Sequence, residues 1–256
     1  MFFNSSVYLI AAVLMVAAGL SYYYKKLSSA AALTGFICAL LIFVGTGYTG
    51  LILLAGFFIA GTVATSWRRT SKNHLERAGD QGPRKAWQVI ANGGAATLMA
   101  IMAIFFPDLR NYFTVLLAAA FSSATSDTLS SELGMVYGKR FYNCITWKKD
   151  QRGLDGVISL EGLLIGFLSS TLVAGLYTLS DYLLYHMHHH PGFTMSSDTA
   201  NFIIIMIAGF IGNLSDSVLG ATLERSAVLD NNWVNFLSTA TAICVSCLLF
   251  VSFLLF

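Results

Sequence analysis

Long apolar runs separated by short polar connections organise this chain, and many of the runs are close to the length of a membrane span. A hydrocarbon core about 30 Å thick takes about 20 mostly apolar residues per helix. Eight stretches approach that length: Val7 to Tyr24, Ser28 to Val44, Leu51 to Thr65, Ala86 to Phe106, Tyr112 to Gly134, Val157 to Leu179, Asn201 to Leu223 and Val234 to Phe256. The third is short, and the second and third fit a tight hairpin. The pattern predicts an all-α polytopic transmembrane helical bundle of about eight spans, with seven as the alternative, in a single integral membrane domain over residues 1–256. The first run does not read as a signal peptide, because Met1 to Ser6 lacks a positive region and Lys25 and Lys26 follow the apolar residues.

Composition sharpens this reading. Of 256 residues, 56% are hydrophobic and 11% charged, where about 25% charged is usual for soluble domains. So few charges cannot solvate the surface of a soluble globular enzyme. Disorder is excluded too, since it needs low hydrophobicity and high net charge. The net charge of +2 comes without a Lys/Arg cluster interleaved with aromatics, so no nucleic-acid partner is expected. The distribution of charge is more informative. Assigning connections to alternate sides puts all 15 basic residues except Arg110 on one side. By the positive-inside rule that side is cytoplasmic and both termini are external. The basic loops fall at about 66–85 and 138–153. The expected location is a bacterial-type inner membrane, with an organelle membrane as the alternative.

Ionisable groups inside spans are costly and mark functional candidates. Asp127 and Glu132 end the fifth span, Glu161 starts the sixth, and Asp216 and Glu224 end the seventh, while Asn92, Gly93 and Gly94 open the fourth. The topology brings all of them to the cytoplasmic ends of their helices. Asp216, Gly220 and Glu224 recur at helical spacing, as do Ser123, Asp127 and Ser131, so each trio shares a face. A hard divalent cation such as Mg²⁺ would find oxygen ligands there. Ser126-Asp127-Thr128 and Ser215-Asp216-Ser217 echo each other, as two facing half-sites would. Interfacial caps and small-residue packing are the alternative for any single one of these residues.

Basic residues lie just beyond these helix ends. The loops supply Arg and Lys suited to phosphate, and Gly82, Gly93, Gly94, Gly138, Gly153 and Gly156 let backbone N–H groups approach an anion. The N-terminus of the fourth span adds a favourable dipole end. Basic cytoplasmic loops also orient membrane proteins regardless of chemistry. His186 to His190 lies in the expected external sixth connection as a solvated tract. Cys244 and Cys247 form a CxxC inside an apolar segment and read as packing residues. Trp67, Trp87, Trp147 and Trp233 fall near predicted interfaces, where such rings anchor helices.

The stretches Trp87 to Gly94, Ser126 to Gly134, Thr146 to Lys149 with Gly153 to Gly162, and Gly212 to Thr222 with Asn231-Asn232 resemble one family in order, spacing and residue type. It is that of the integral membrane proteins of the transmembrane protein 19 type, which includes the plant phytyl-phosphate kinase. Asp155 stands where that pattern has glycine, and Glu224 where glutamine is common. The resemblance implies a kinase using CTP or another nucleotide to convert an isoprenyl- or phytyl-type lipid monophosphate to its diphosphate. No GxxxxGK[ST] is present or needed. On this reading Asp127 and Asp216 hold Mg²⁺ with Glu132 and Glu224 as further ligands, and Asn92 orients a phosphate. Lys72, Arg77, Arg84, Lys85, Lys139 and Lys148, with Gly93, Gly94 and Asn213, complete the nucleotide and phosphate contacts. An ion-coupled transporter using the same carboxylates and a cytidylyltransferase-like lipid enzyme remain as alternatives, and a structural scaffold is the third. The oligomeric state is not specified by the sequence.

Overall fold

The computed structural model describes residues 5–68, 82–188 and 195–255. Lys72 and Arg77, two of the expected phosphate contacts, lie outside the described residues. The described helices are α1 (Ser5–Tyr23), α2 (Ser29–Ser66), α3 (Ala86–Phe105), α4 (Arg110–Tyr137), α5 (Leu160–His188), α6 (Met195–Leu219) and α7 (Asn231–Leu255). A 3-10 turn at Pro107–Leu109 precedes α4, and a π-helical turn at Gly220–Glu224 prolongs α6. Pro83 and Pro107 fall between the described α-helices, so no described α-helix loses an interior backbone donor to proline.

Among the described residues, six helices are long and apolar enough to cross a membrane. α4 falls short of that hydropathy because of its serines and threonines, and its place in the bundle explains why this is tolerated. Phe113 through Ser126 are buried without interruption, with α2, α3, α5, α6 and α7 packed around them. A helix covered on all sides by protein has no lipid to satisfy, and small side chains let its neighbours come close. At Gly209 and Gly212 of α6 a Cβ would collide with Ser122 and Ser123 of α4. Phe57 and Phe121 stack at 5.8 Å in the same core.

A straight helix of 38 residues would reach about 57 Å, nearly twice the hydrocarbon core. α2 is not straight. At Gly47 φ is 70° and ψ is −150°, a conformation open to glycine and little else. The chain reverses there, because Lys26 Nζ, just before α2, donates to Ser66 Oγ at its far end (3.4 Å). The break orphans helix carbonyls, and Arg110 Nη2 donates to one of them, Val44 O, at 3.1 Å. The two arms, 29–46 and 48–66, are thus an antiparallel pair longer than the runs read from sequence.

Other boundaries differ from expectation for local reasons. Val157 and Ile158, expected to start a span, pair as a short antiparallel strand with Tyr142 and Asn143. α5 starts only at Leu160, where Ser159 Oγ accepts from Gly162 N at 3.1 Å as a helix cap. α5 also runs on to His188, so part of the histidine tract is helical rather than connecting loop. α6 starts at Met195 instead of Asn201.

Candidate active site

A cavity of about 780 Å³ opens at the end of the bundle that carries the last turns of α4 and α6 and the first turns of α3 and α7. The lower part of α4 delivers Asp127, Ser130, Ser131 and Glu132 to its wall, and α6 delivers Asn213, Asp216 and Ser217. The carboxyl groups of Asp127 and Asp216 meet in hydrogen-bonding contact. Asp216 Oδ2 is buried without a hydrogen-bond partner. Two touching carboxyl groups with an orphaned oxygen form a donor set that fits a hard divalent cation.

Polar cross-links hold the helices that carry the pair. Ser130 Oγ lies 3.0 Å from both Asp127 O and Asn213 Oδ1, one hydroxyl proton serving two acceptors. The Ser126 hydroxyl donates to Gly166 O on α5. Gly166 has no room for a Cβ, because the Asn213 amide occupies that space. α4, α5 and α6 are therefore locked together one turn from the carboxylates.

The π turn decides where Glu224 points. In a regular helix at about 100° per residue, position i+8 would drift roughly 80° from Asp216. A π turn advances less per residue, which carries Glu224 back toward the same face, and both residues line the cavity. Such turns recur at functional sites. Glu132 also lines the cavity, and both glutamates act electrostatically on Asp127. Yet among the described residues no three His, Cys, Asp or Glu side chains converge as metal ligands. The expected four-carboxylate set is thus a close pair, Asp127 and Asp216, with Glu132 and Glu224 standing off.

Among the expected cations in the described residues, Arg84 lines the cavity. Its backbone is clamped to the segment before α2, through Ser28 N to Arg84 O and Arg84 N to Lys26 O, both 3.0 Å. Gly61 makes room for the guanidinium, whose Nη2 is 3.2 Å from where a Cβ would stand. Burial pulls this guanidinium below its ordinary value, and neighbouring Glu132 opposes that pull. Lys85 sits exposed at the start of α3, where its backbone N donates to Gln88 Oε1 at 2.8 Å. Lys139 and Lys148 are exposed in the α4–α5 connection, away from the cavity wall. Asn92 lines the cavity and donates to Gln88 O at 3.0 Å. Gly93 lines it as well, whereas Gly94 turns toward Ile90 and Phe236.

The α4–α5 connection is pinned across the end of α6. Arg225 Nη1 pairs with Asp150 Oδ2 at 2.8 Å, and its Nε donates to Asp155 O at 2.6 Å. The Gln151 backbone N–H and then Arg225 hold the Asp150 carboxyl below the usual carboxylate range. Gly156, at φ 66°, lies so close to Ala221 that no side chain would fit. Asp155, Gly156 and Ser159 from this connection line the cavity.

Sequence reasoning missed Gln88, Ser130, Ser217 and Asn235, all on the wall, because neutral amides and hydroxyls carry no charge to single them out. Asn231 and Asn235 at i and i+4 were the available signal.

The cavity also has an apolar arm. It runs between α1 and the two arms of α2, past Ala18, Leu27, Phe36 and Phe58 to Ile42 and Leu51 near the reversal. From Leu27 to Ile42 is about 22 Å at the α-helical rise.

These features define a helical integral membrane protein with a carboxylate-bearing polar cavity at one end of the bundle, joined to an apolar channel. The chain belongs to the family of integral membrane proteins DUF92, whose description matches residues 12–243, and thus to the transmembrane protein 19 type. An uncharacterized membrane protein of Methanocaldococcus jannaschii is 34% identical over 205 residues, 80% of this chain and 76% of that protein. The chloroplastic protein VTE6 of Arabidopsis thaliana is 28% identical over 230 residues, 87% of this chain and 65% of its own length. Protein PGR of the same plant is 26% identical over 265 aligned positions, 85% of this chain and 87% of its own length. No solved structure matches the chain.

Proposed function

We propose that the protein is a membrane-embedded kinase that transfers the γ-phosphoryl group of CTP, or another nucleoside triphosphate, to an isoprenyl- or phytyl-type lipid monophosphate. The observation that carries this reading is the continuity of one cavity, from the Asp127–Asp216 pair and Arg84 to an apolar arm of lipid-tail length. A lipid phosphate fits both ends at once, the tail between α1 and α2 and the head beside Arg84. Resemblance to the family that includes the plant phytyl-phosphate kinase supports the same reaction.

Phosphoryl transfer needs positioning and charge neutralisation more than covalent help from the protein. The acceptor phosphate is already anionic near neutral pH, so one of its oxygens can attack the γ-phosphorus without a general base. The bond from that phosphorus to the β-bridging oxygen breaks, and the nucleoside diphosphate leaves with the electron pair. Mg²⁺ at the carboxylate pair would neutralise charge on the transferring group. Arg84 and Asn92 orient phosphate oxygens, and Ser130 with Asn213 fixes α4 against α6. Lys85, Lys139 and Lys148, with Lys72 and Arg77, supply the electrostatic field that attracts the nucleotide from the cytoplasmic side.

The test is label transfer in detergent, with Mg²⁺, γ-labelled CTP or ATP and a panel of isoprenyl monophosphates. Label is expected in a lipid diphosphate, and Asp127→Asn and Asp216→Asn should each lower the rate at least about 1000-fold while the protein stays monodisperse. Pyrophosphate release with a nucleotidyl-lipid product would replace the kinase by a cytidylyltransferase. Full activity in both variants, or no transfer to any lipid, would refute the reading.

A further inference from the structure

A second polar cluster lies at the other end of the bundle, between the C-terminal half of α5 and the first turns of α6. Tyr177, Ser180 and Asp181 share one face of α5, and Asp198 and Asn201 share one face of α6, by their i, i+3 and i+4 spacing. Tyr177 is 3% exposed and pairs with Asn201, and both Asp181 and Asp198 lie within its electrostatic reach. Asp198 is 7% exposed, and its Oδ2 is buried with no hydrogen-bond partner. Asp181 also acts electrostatically on Asp198.

Two neighbouring carboxyl groups, one with a buried oxygen that has no hydrogen-bond partner, need compensation. No Lys or Arg is paired with either of them among the described residues. Arg110, the basic residue at this end, is engaged with Val44 O. The dipole of α6 favours a negative charge in its first turn, but it gives the buried Oδ2 no ligand. Asp181, on the neighbouring helix, gains nothing from it.

We infer that Asp181 and Asp198, with the oxygens of Tyr177 and Asn201, form a binding site for a hard divalent cation at the end of the bundle opposite the candidate active site. The donors are all oxygen, which selects Ca²⁺ or Mg²⁺ over softer metals, and two carboxylates balance a double charge. Bound there, the ion ties α5 to α6 across their connection.

The experiment measures Ca²⁺ and Mg²⁺ binding by calorimetry on the purified full chain. These probes bind poorly to imidazole, so the histidine tract does not contribute. The double variant Asp127→Asn/Asp216→Asn removes the other carboxylate pair. One saturable site should persist in that variant and weaken at least tenfold when Asp198→Asn or Asp181→Asn is added. In the presence of chelator, Asp198→Asn should unfold at or above the temperature of the unsubstituted chain, because it relieves an unbalanced carboxylate. Loss of all binding in the double variant, or binding indifferent to both Asp198→Asn and Asp181→Asn, would overturn the site. A lower unfolding temperature of Asp198→Asn in chelator would also overturn it, by making Asp198 a helix-stabilising residue only. Should Asp198→Asn fail to fold, Asp181→Asn decides by the same measurements.

Discussion

α1 and α4 are opposites in composition and in place. α1 is apolar around its circumference, and no residue of Ser6–Tyr23 is fully buried inside the protein. α4 is the more polar helix, yet it is buried from Phe113 to Ser126. In water the hydrophobic helix would be the inner one. In a bilayer the lipid tails are as apolar as leucine, so hydrophobicity marks contact with lipid, and small or hydrogen-bonding residues mark contact with other helices. That inversion explains why the carboxylates reside on α4 and α6, and why the apolar arm of the cavity is walled by α1.

The comparison can be broken most severely where α4 is tightest. Gly209→Val places a side chain on Ser122 and should cost about 3 kcal/mol or prevent assembly, read as a loss of unfolding temperature in detergent. On α1 the half-buried stripe Leu14, Ala18 and Ser21 faces the cavity. On the proposed kinase reading, Ala18→Phe should fill the apolar arm, raising KM for the longest lipid monophosphates about tenfold with little change in stability. An equal loss for short and long chains would argue against a tail channel there. The smallest effect belongs to the lipid face of α1. Val13 is 55% exposed, and Val13→Ala should change stability by less than about 0.5 kcal/mol; a larger drop would mean that this face has a protein partner.

Legibility varied residue by residue. Asp127 and Asp216 stood out because a charge inside an apolar run is expensive, and the repeated Ser-Asp-Ser/Thr element hinted that the two meet. Arg84 was one of six basic residues in its connection, and nothing local separated it from Lys85. Its clamp to Lys26 and Ser28 and the space beside Gly61 are contacts across long stretches of chain. Ser130 and Asn235 gave no electrostatic signal at all. The reversal of α2 was half legible, since two short runs suggested a hairpin, but helical hydrogen bonding up to Gly47 on both sides hid its position.

By itself the sequence determined the membrane character, the helical class and the end of the bundle where charge collects, because desolvation makes each of these costly to arrange otherwise. Tertiary structure alone decided that α4 is central, that Asp127 touches Asp216 while Glu132 and Glu224 stand off, and that Arg84 faces the cavity. Those outcomes depend on interhelical packing at glycines and serines and on a π turn at the end of α6, where small differences in approach and rotation are invisible to a one-dimensional pattern.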